Sequence, residues 1–196
     1  MNGIKYIGLL SLILCIFCCS SKTGYREVVE EELASGIRND TLLLGFHFGM
    51  EEQTFYKTCW EYNQKGLIKE GFSNLTIYYP LPGLPHEGFL DFFPIFKDGK
   101  IQSFQGFTMY KGWAPWNKDL WSDNLLEDTR ELLESSYPGN KFFAIKSPGR
   151  GKAYVKIDGN RRIVLYYVED DRVQVLVSDL TNLDNVLTLK KELSNL

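Results

Sequence analysis

Residues 89–110 have the sequence FLDFFPIFKDGKIQSFQGFTMY, and this stretch predicts the type of fold. Two apolar runs, Phe89 to Phe96 and Ile101 to Tyr110, flank the tetrapeptide Lys97-Asp98-Gly99-Lys100. Asp-Gly between apolar runs is among the strongest short-range signals for a β-hairpin, because both turn residues tolerate positive φ. An antiparallel sheet is therefore expected here, with its other strands before and after this hairpin.

The chain before the hairpin predicts a helix followed by a further strand. Phe55, Cys59 and Tyr62 lie at helical spacing, so one face of this helix is expected to be apolar. The predicted elements are a short β-like run (42–48), the helix (about 50–65), a strand (74–79) and a loop rich in Pro and Gly (80–85).

The second half of the chain repeats this order of elements. Apolar residues at helical spacing between Ser122 and Pro138 predict a helix with one apolar stripe. The turn Asp158-Gly159-Asn160 predicts a second hairpin. The expected strands of this half are 142–147, 152–157, 162–168 and 173–177.

These patterns predict an α+β fold made of two tandem units, each a helix followed by an antiparallel meander. The units are expected at about 42–111 and 120–180, with a C-terminal helix at about 183–194. Each helix has one apolar face and each meander has one face to cover, so the helices are expected to pack on one face of the sheet. The other sheet face is then either solvated or a binding surface.

The N-terminus predicts export and lipid attachment. Lys5 precedes an uncharged apolar run, Tyr6 to Cys18, which at thirteen residues is shorter than the ~20 that span a bilayer. Ile16-Phe17-Cys18-Cys19 resembles a bacterial lipobox, which implies cleavage after residue 18 and acylation of Cys19. The predicted organisation is a signal peptide (1–18), a lipidated cysteine with a tether (19–40) and a folded domain (41–196). Within the tether, a solvated spacer is favoured over a short helix at 27–32.

The composition excludes several classes of function. Removal of 18 residues from 196 leaves 178, with 21 basic and 25 acidic residues and a net charge of −4. A mildly acidic chain gives no electrostatic reason to expect a nucleic-acid partner. Cys59 is the one cysteine left after the lipidated position, so no intrachain disulfide is expected. No metal or cofactor motif is found, and neither a metal nor a cofactor is expected.

The order of elements resembles two kinds of exported protein. Gly49-Met50-Glu51-Glu52-Gln53 is similar to the Gly-Met step into a helix of SmpA/OmlA-type outer-membrane lipoproteins. Two tandem helix-plus-sheet units resemble the architecture of β-lactamase-inhibitor proteins, whose family normally carries disulfides. Asp40-Thr41-Leu42 resembles the periplasmic O-glycosylation sites of Bacteroidetes but does not enter the functional interpretation. Together with the lipobox-like N-terminus, the resemblance as a whole is to a Bacteroidetes-like envelope lipoprotein.

Tryptophan is concentrated in the connector between the two predicted units. The candidate binding residues are Tyr110, Trp113, Trp116 and Trp121. Large rings with a polar edge dominate interface hot spots, so these residues are interpreted as a platform for a protein partner or for sugar rings. The alternative interpretation is that the rings fill a seam between the two units.

Two histidines, His47 and His86, are the other candidates for chemistry. His86 lies beside Glu87 and, with Asp91, has the residue types of a carboxylate-oriented base, but no nucleophile motif accompanies it. No catalytic residues are therefore assigned.

The expected function is that of a lipid-anchored envelope protein that acts by binding a protein partner or an envelope component. The expected location is the outer membrane. Ser20-Ser21-Lys22 does not resemble the acidic surface-export signals of Bacteroidetes lipoproteins, which implies that the domain faces the periplasm. Two alternatives remain open: a lipoprotein that binds a glycan or small ligand, and an envelope hydrolase that uses His47 or His86.

Overall fold

A computed structural model of the protein describes residues 24–73, 75–147 and 151–181. These residues form three α-helices and one eight-stranded antiparallel sheet, so the predicted α+β class is confirmed and sheet predominates. The helices are α1 (Tyr25–Ala34), α2 (Glu52–Gln64) and α3 (Ser122–Ser136). The strands are β1 (Lys69–Glu70), β2 (Ile77–Pro80), β3 (Gly88–Lys97), β4 (Lys100–Tyr110), β5 (Phe143–Ser147), β6 (Gly151–Asp158), β7 (Arg161–Glu169) and β8 (Arg172–Asp179).

The strand order of the sheet is β1-β2-β3-β4-β8-β7-β6-β5. Each set of four consecutive strands forms an antiparallel meander, as expected when neighbours in sequence are joined by short turns. The two meanders meet where β4 pairs with β8, between Ser103↔Ser178 and Met109↔Arg172. This junction makes one continuous sheet from the two halves of the chain.

The predicted hairpin at 97–100 forms β3 and β4. Asp98 and Gly99 both have positive φ, 51° and 70°, and Lys97 pairs with Lys100. Two positive φ values in a two-residue loop match the twist of antiparallel strands. The register shifts by one residue between Ile95 and Phe96, which is a β-bulge.

The larger core cluster combines residues of the sheet with residues of helices α2 and α3. Phe55 of α2 is buried, and its ring centroid lies 4.8 Å from that of Phe46. Leu125 and Leu126 of α3 are buried in the same cluster. The sheet residues of this cluster include Leu90, Phe92, Phe104, Ile163, Leu165, Val173, Val175 and Val177.

A smaller core cluster lies under α1, on the opposite face of the sheet. Side chains alternate between faces along a strand, so Val155 and Ile157 point away from their neighbour Tyr154, which belongs to the larger cluster. Val29 and other apolar residues of α1 pack against this second cluster. The Glu32 carboxylate of α1 accepts a hydrogen bond of 2.7 Å from the N–H of Gly159. Where the sequence favoured a solvated spacer, the chain therefore forms a helix that contacts the sheet.

The run at 42–48 is not a strand, contrary to the prediction. It forms a 3-10 turn at Leu43–Gly45, in which Leu44 has φ of 58°, followed by an isolated bridge between Thr41 and His47. Leu42, Phe46 and Phe48 are buried, because the turn folds these apolar residues onto the core. The alternating apolar pattern that suggested a strand therefore reports burial.

Several predictions lie outside the described residues. They are the signal peptide at 1–18, the lipidated Cys19 with Ser20-Ser21-Lys22, and the C-terminal helix at about 183–194. Within the described part of the chain, no helix is both long and apolar enough to span a membrane.

Candidate binding cleft

An open cleft lies across strands β3, β4 and β8, on the sheet face opposite α3. Asp91, Phe107 and Gln174 pair directly across these strands, so their side chains share this face. Phe93 and Gln105 form the neighbouring row on one side. On the other side, the neighbouring row is made of Met109 and Arg172.

The cleft has a volume of about 620 Å³. One wall is formed by Phe72, Ser73 and Thr76, between β1 and β2. Phe72 is 72% exposed, and its ring centroid lies 5.4 Å from that of Phe89. The volume falls in the range of small-molecule sites, roughly 300–1,000 Å³. The lining residues are Phe72, Ser73, Thr76, Asp91, Phe93, Gln105, Gly106, Phe107, Met109, Arg172 and Gln174.

Gln174 presents a hydrogen-bond acceptor to the cleft. Its Nε2 donates to the carbonyl oxygen of Gly106 at 2.9 Å and, more weakly, to that of Val175 at 3.4 Å. These two acceptors fix the orientation of the amide, because only the NH₂ group can donate to both. Among the described residues, nothing donates to Oε1, which is therefore available to a ligand.

Arg172 lies at the edge of the cleft with its charge already paired. Its Nε and Nη2 donate to the Asp171 carboxylate at 2.8 and 3.0 Å, and Glu169 lies 3.3 Å from Nη2. The hydrogen bond to Asp171 raises the pKa of the guanidinium above its already high value. The guanidinium carbon lies 5.9 Å from the ring centroid of Phe107, within the range of a cation–π contact.

Asp91 holds the wall of the cleft in place. The residue is only 7% exposed, and its Oδ2 accepts a hydrogen bond of 3.0 Å from the N–H of Phe72. Its Oδ1 is buried and has no partner in the described structure. A Cβ on Gly71 would clash with Asp91 Oδ1 and Thr76 Oγ1, so the wall can approach the strand this closely because residue 71 is glycine. Asp91 therefore fixes the loop that carries Phe72.

The tryptophans predicted as a platform are placed differently from one another. Trp113 packs against the larger core, and its Nε1 donates to the carbonyl oxygen of Asp170 at 3.0 Å. Trp116 is 84% exposed. Trp121 is half-buried at the start of α3, with the Lys118 ammonium over its ring. One of the three rings is thus open to solvent, and one contributes to the core.

Tyr110, the fourth predicted binding residue, is buried at the end of β4. Its hydroxyl donates a hydrogen bond to Asp128 of α3. Burial and this hydrogen bond to a carboxylate raise the pKa of Tyr110 well above its usual value. The side chain connects the strand to the helix and does not line the cleft.

The two histidines are exposed and lie apart from the cleft. His47 Nδ1 lies 2.9 Å from the carbonyl oxygen of Phe48. His86 makes an edge-on contact with Tyr110, at 5.3 Å between ring centroids. Tyr110 and Asp91 are on opposite faces of the sheet, so the described structure does not bring His86 and Asp91 together.

The remaining candidates for chemistry give no site in the described residues. Cys59 is half-buried, and burial raises the pKa of its thiol to about 12, which disfavours the nucleophilic thiolate. No cluster of three or more His, Cys, Asp or Glu side chains suited to a metal ion occurs in the part of the chain that the structure describes.

The sequence indicated an open sheet face as a possible contact surface but did not select the residues of the cleft. Phe107, Gln105 and Gln174 have no unusual local pattern, and their proximity depends on pairing among three strands. The signal that was present is the alternation of Gln105, Phe107 and Met109 along β4, which places one exposed polar and two half-buried apolar side chains on one face. Comparison of the chain with protein families, with curated proteins and with solved structures found no match.

Proposed function

We propose that the protein is a lipid-anchored envelope protein that acts by binding, with the cleft across β3, β4 and β8 as its contact surface. The observation that carries this proposal is the combination of an open concavity of about 620 Å³, aromatic side chains and polar atoms without partners. Binding sites typically combine an apolar lining with a few fixed polar groups that set orientation. The ligand is an envelope component or a partner protein.

The proposed location rests on the N-terminal sequence. The lipobox-like Ile16-Phe17-Cys18-Cys19 supports acylation of Cys19, and two or more acyl chains would anchor the protein stably. Ser20-Ser21-Lys22 supports an outer-membrane position that faces the periplasm. Cys19→Ala should abolish incorporation of labelled fatty acid and release the protein from the membrane fraction. Retention of the label in this variant would contradict acylation at this residue.

We also propose that the architecture consists of two tandem units. In each, a helix (α2 or α3) is followed by strands that form one meander, and both helices contribute to the same core cluster. In this arrangement α1 is an addition outside the units and covers the opposite face of the second meander. The same face of β3 and β4, together with β8 of the second meander, is left to form the cleft.

Site-specific photo-crosslinking tests the contact surface. Gln105 is exposed in the cleft, whereas Lys57 is exposed on α2, so a photoreactive phenylalanine analogue at each position gives a matched pair. In the lipidated protein in its native envelope, a discrete crosslinked product is expected from position 105 and not from position 57. The product should be lost when Phe107→Ala is added.

A third position distinguishes the cleft from the tryptophan connector. Trp116 is the most exposed large apolar side chain of the connector, which makes it the best remaining candidate for a platform. A crosslinked product from position 116 alone would show that the connector, and not the cleft, is the contact surface. Absence of a product from all three positions would contradict the proposed binding function.

A further inference from the structure

We infer that the ligand of the cleft is a neutral saccharide. This inference rests on the proposed binding function of the cleft and adds the chemical class of the ligand. It depends on which ring surfaces and which polar atoms of the lining remain available, and on which charges of the lining are already paired.

The ring surfaces of the cleft suit the flat face of a sugar. Phe107 and Phe93 are half-buried and line the cleft, and Phe93 also packs against the larger core, with its ring centroid 6.2 Å from that of Phe55. The C–H bonds on one face of a pyranose ring carry partial positive charge, and aromatic faces are negative. Exposed Phe72 adds a third ring at the wall, in a position fixed by the hydrogen bond from its N–H to Asp91.

The polar atoms of the cleft suit hydroxyl groups, which both donate and accept. Gln174 Oε1 is an acceptor in a fixed orientation. Gln105 is exposed and offers an amide that can both donate and accept. Arg172 uses Nε and Nη2 for its contacts with Asp171 and Glu169, which leaves Nη1 as a further donor. Acceptors and donors are thus distributed around the rings, as recognition of a polyhydroxylated molecule requires.

Charged ligands are less compatible with this lining. A cation would need an accessible carboxylate, but the unpartnered Oδ1 of Asp91 is enclosed beneath Gly71. An anion would need a free cation, but Arg172 is already paired with Asp171 and Glu169. The lining therefore offers neither an accessible carboxylate to a cation nor an unpaired guanidinium to an anion.

A purely apolar ligand is also disfavoured. An acyl chain in the cleft would cover Gln174 Oε1 and the Gln105 amide without replacing their hydrogen bonds to water. Polar groups that are buried without partners oppose binding. A sugar covers the same atoms and supplies hydroxyl groups to satisfy them.

Calorimetric titration of the lipidated full chain in nanodiscs tests the inference. The probes are N-acetylchitotetraose, maltotetraose and laminaritetraose, with tetralysine as a cationic comparison and decanoate as an anionic comparison that also carries an acyl chain. At least one oligosaccharide should bind, and Phe107→Ala should weaken its affinity at least tenfold. Gln105→Ala should weaken it less, whereas the control Trp116→Ala should leave it unchanged. Circular dichroism of each variant should match that of the unchanged chain.

The outcomes separate this inference from the proposed function. If none of the oligosaccharides binds, or if Phe107→Ala binds them as well as the unchanged chain does, the saccharide assignment is wrong. Phe107-dependent binding of tetralysine or decanoate instead of a sugar would also overturn it. In either case, a crosslinked product from position 105 in the native envelope would still support the cleft as the contact surface. If that product is absent too, both the saccharide assignment and the proposed contact surface are wrong.

Discussion

Individual side chains in the cleft differ in whether their polar atoms are satisfied within the protein. Gln174 uses its NH₂ group on two backbone carbonyls and leaves its oxygen available, whereas Asp91 uses one oxygen on the Phe72 N–H and keeps the other enclosed. A buried acceptor without a partner costs roughly 1–3 kcal/mol. The enclosed Oδ1 of Asp91 opposes stability while its Oδ2 holds the cleft wall, and Gln174 is the better candidate for direct contact with a ligand.

The tryptophans of the connector are predicted to differ in their effect on stability. Trp113→Ala should lower the free energy of unfolding by about 1–3 kcal/mol, because it removes core packing and the hydrogen bond to the Asp170 carbonyl. Trp116→Ala should change it by less than about 0.5 kcal/mol, because the side chain is almost fully exposed. Urea denaturation of the two variants measures the difference, and equal losses would contradict the placement of these rings.

Gly71 is predicted to be required for the cleft wall. In Gly71→Ala the new Cβ would lie 2.8 Å from the carbonyl carbon of Thr76 and would clash with the Asp91 carboxylate. The loop must shift, so the free energy of unfolding should fall by about 1–3 kcal/mol. Leu75→Ala, at an exposed position of the same loop, is the control and should cost under about 0.5 kcal/mol. Thermal and urea denaturation measure the stability of both variants. If Gly71→Ala costs as little as Leu75→Ala, the wall is not packed as described.

Contacts between elements depend on a few polar links besides the apolar core. Glu127 of α3 accepts hydrogen bonds from Lys152 Nζ at 2.7 Å and Tyr154 Oη at 2.6 Å, both on β6. Arg130, one turn further along α3, donates to the same carboxylate at 3.0 Å. This carboxylate therefore ties α3 to a strand of the second meander.

The link between α3 and β6 is predicted to depend on pH. Partial burial opposes ionisation of Glu127, but hydrogen bonds from Lys152, Tyr154 and Arg130 prevail and lower its pKa from 4.5 to about 2. Because the pKa is lower in the folded state, the stabilisation is present above about pH 4.5 and is lost as the pH falls toward 2. Since the side chain is 41% exposed, solvent screening limits the size of the effect.

Comparison of Glu127→Gln with the unchanged chain measures this dependence. The variant should be less stable at pH 7, and the difference in unfolding free energy should shrink between pH 4.5 and pH 2. Glu30→Gln removes an exposed ion pair with Arg26 and serves as the control, with little change in stability expected at pH 7 because solvent screens the pair. A difference for Glu127→Gln that stays constant down to pH 2 would refute the assigned ionisation.

The molecule as a whole has one large core that crosses the junction between the two meanders. Phe92 and Phe104 of the first meander belong to the same buried cluster as Leu165 and Val175 of the second. Backbone pairing between β4 and β8 continues the sheet across this junction. Neither meander covers its own apolar face without α2, α3 and the other half.

Unfolding is therefore predicted to be a single cooperative transition. Far-ultraviolet circular dichroism follows the sheet, and fluorescence follows the four tryptophans, three of which lie in the connector. Both signals should give the same midpoint in urea, as is usual for one domain with a shared core. Two separated midpoints would indicate that the two meanders unfold independently.

The local features of the sequence predicted many of the elements. Asp98-Gly99 predicted the β3–β4 hairpin, because its turn chemistry is determined by residues adjacent in sequence. The apolar stripe through Leu125 and Leu126 predicted the buried face of α3 for the same reason. The run at 42–48 was predicted incorrectly, because alternating apolar residues do not distinguish a strand from a turn that packs on the core.

The sequence by itself determined the α+β class, the positions of the hairpins and the apolar faces of the helices. Each of these depends on interactions within a few residues of the chain. The tertiary structure alone decided that β4 pairs with β8, that α1 covers one half of the outer sheet face, and that Phe107 lies between Asp91 and Gln174. Pairing between distant strands is selected by the packing of the whole core, so no local pattern could identify the cleft.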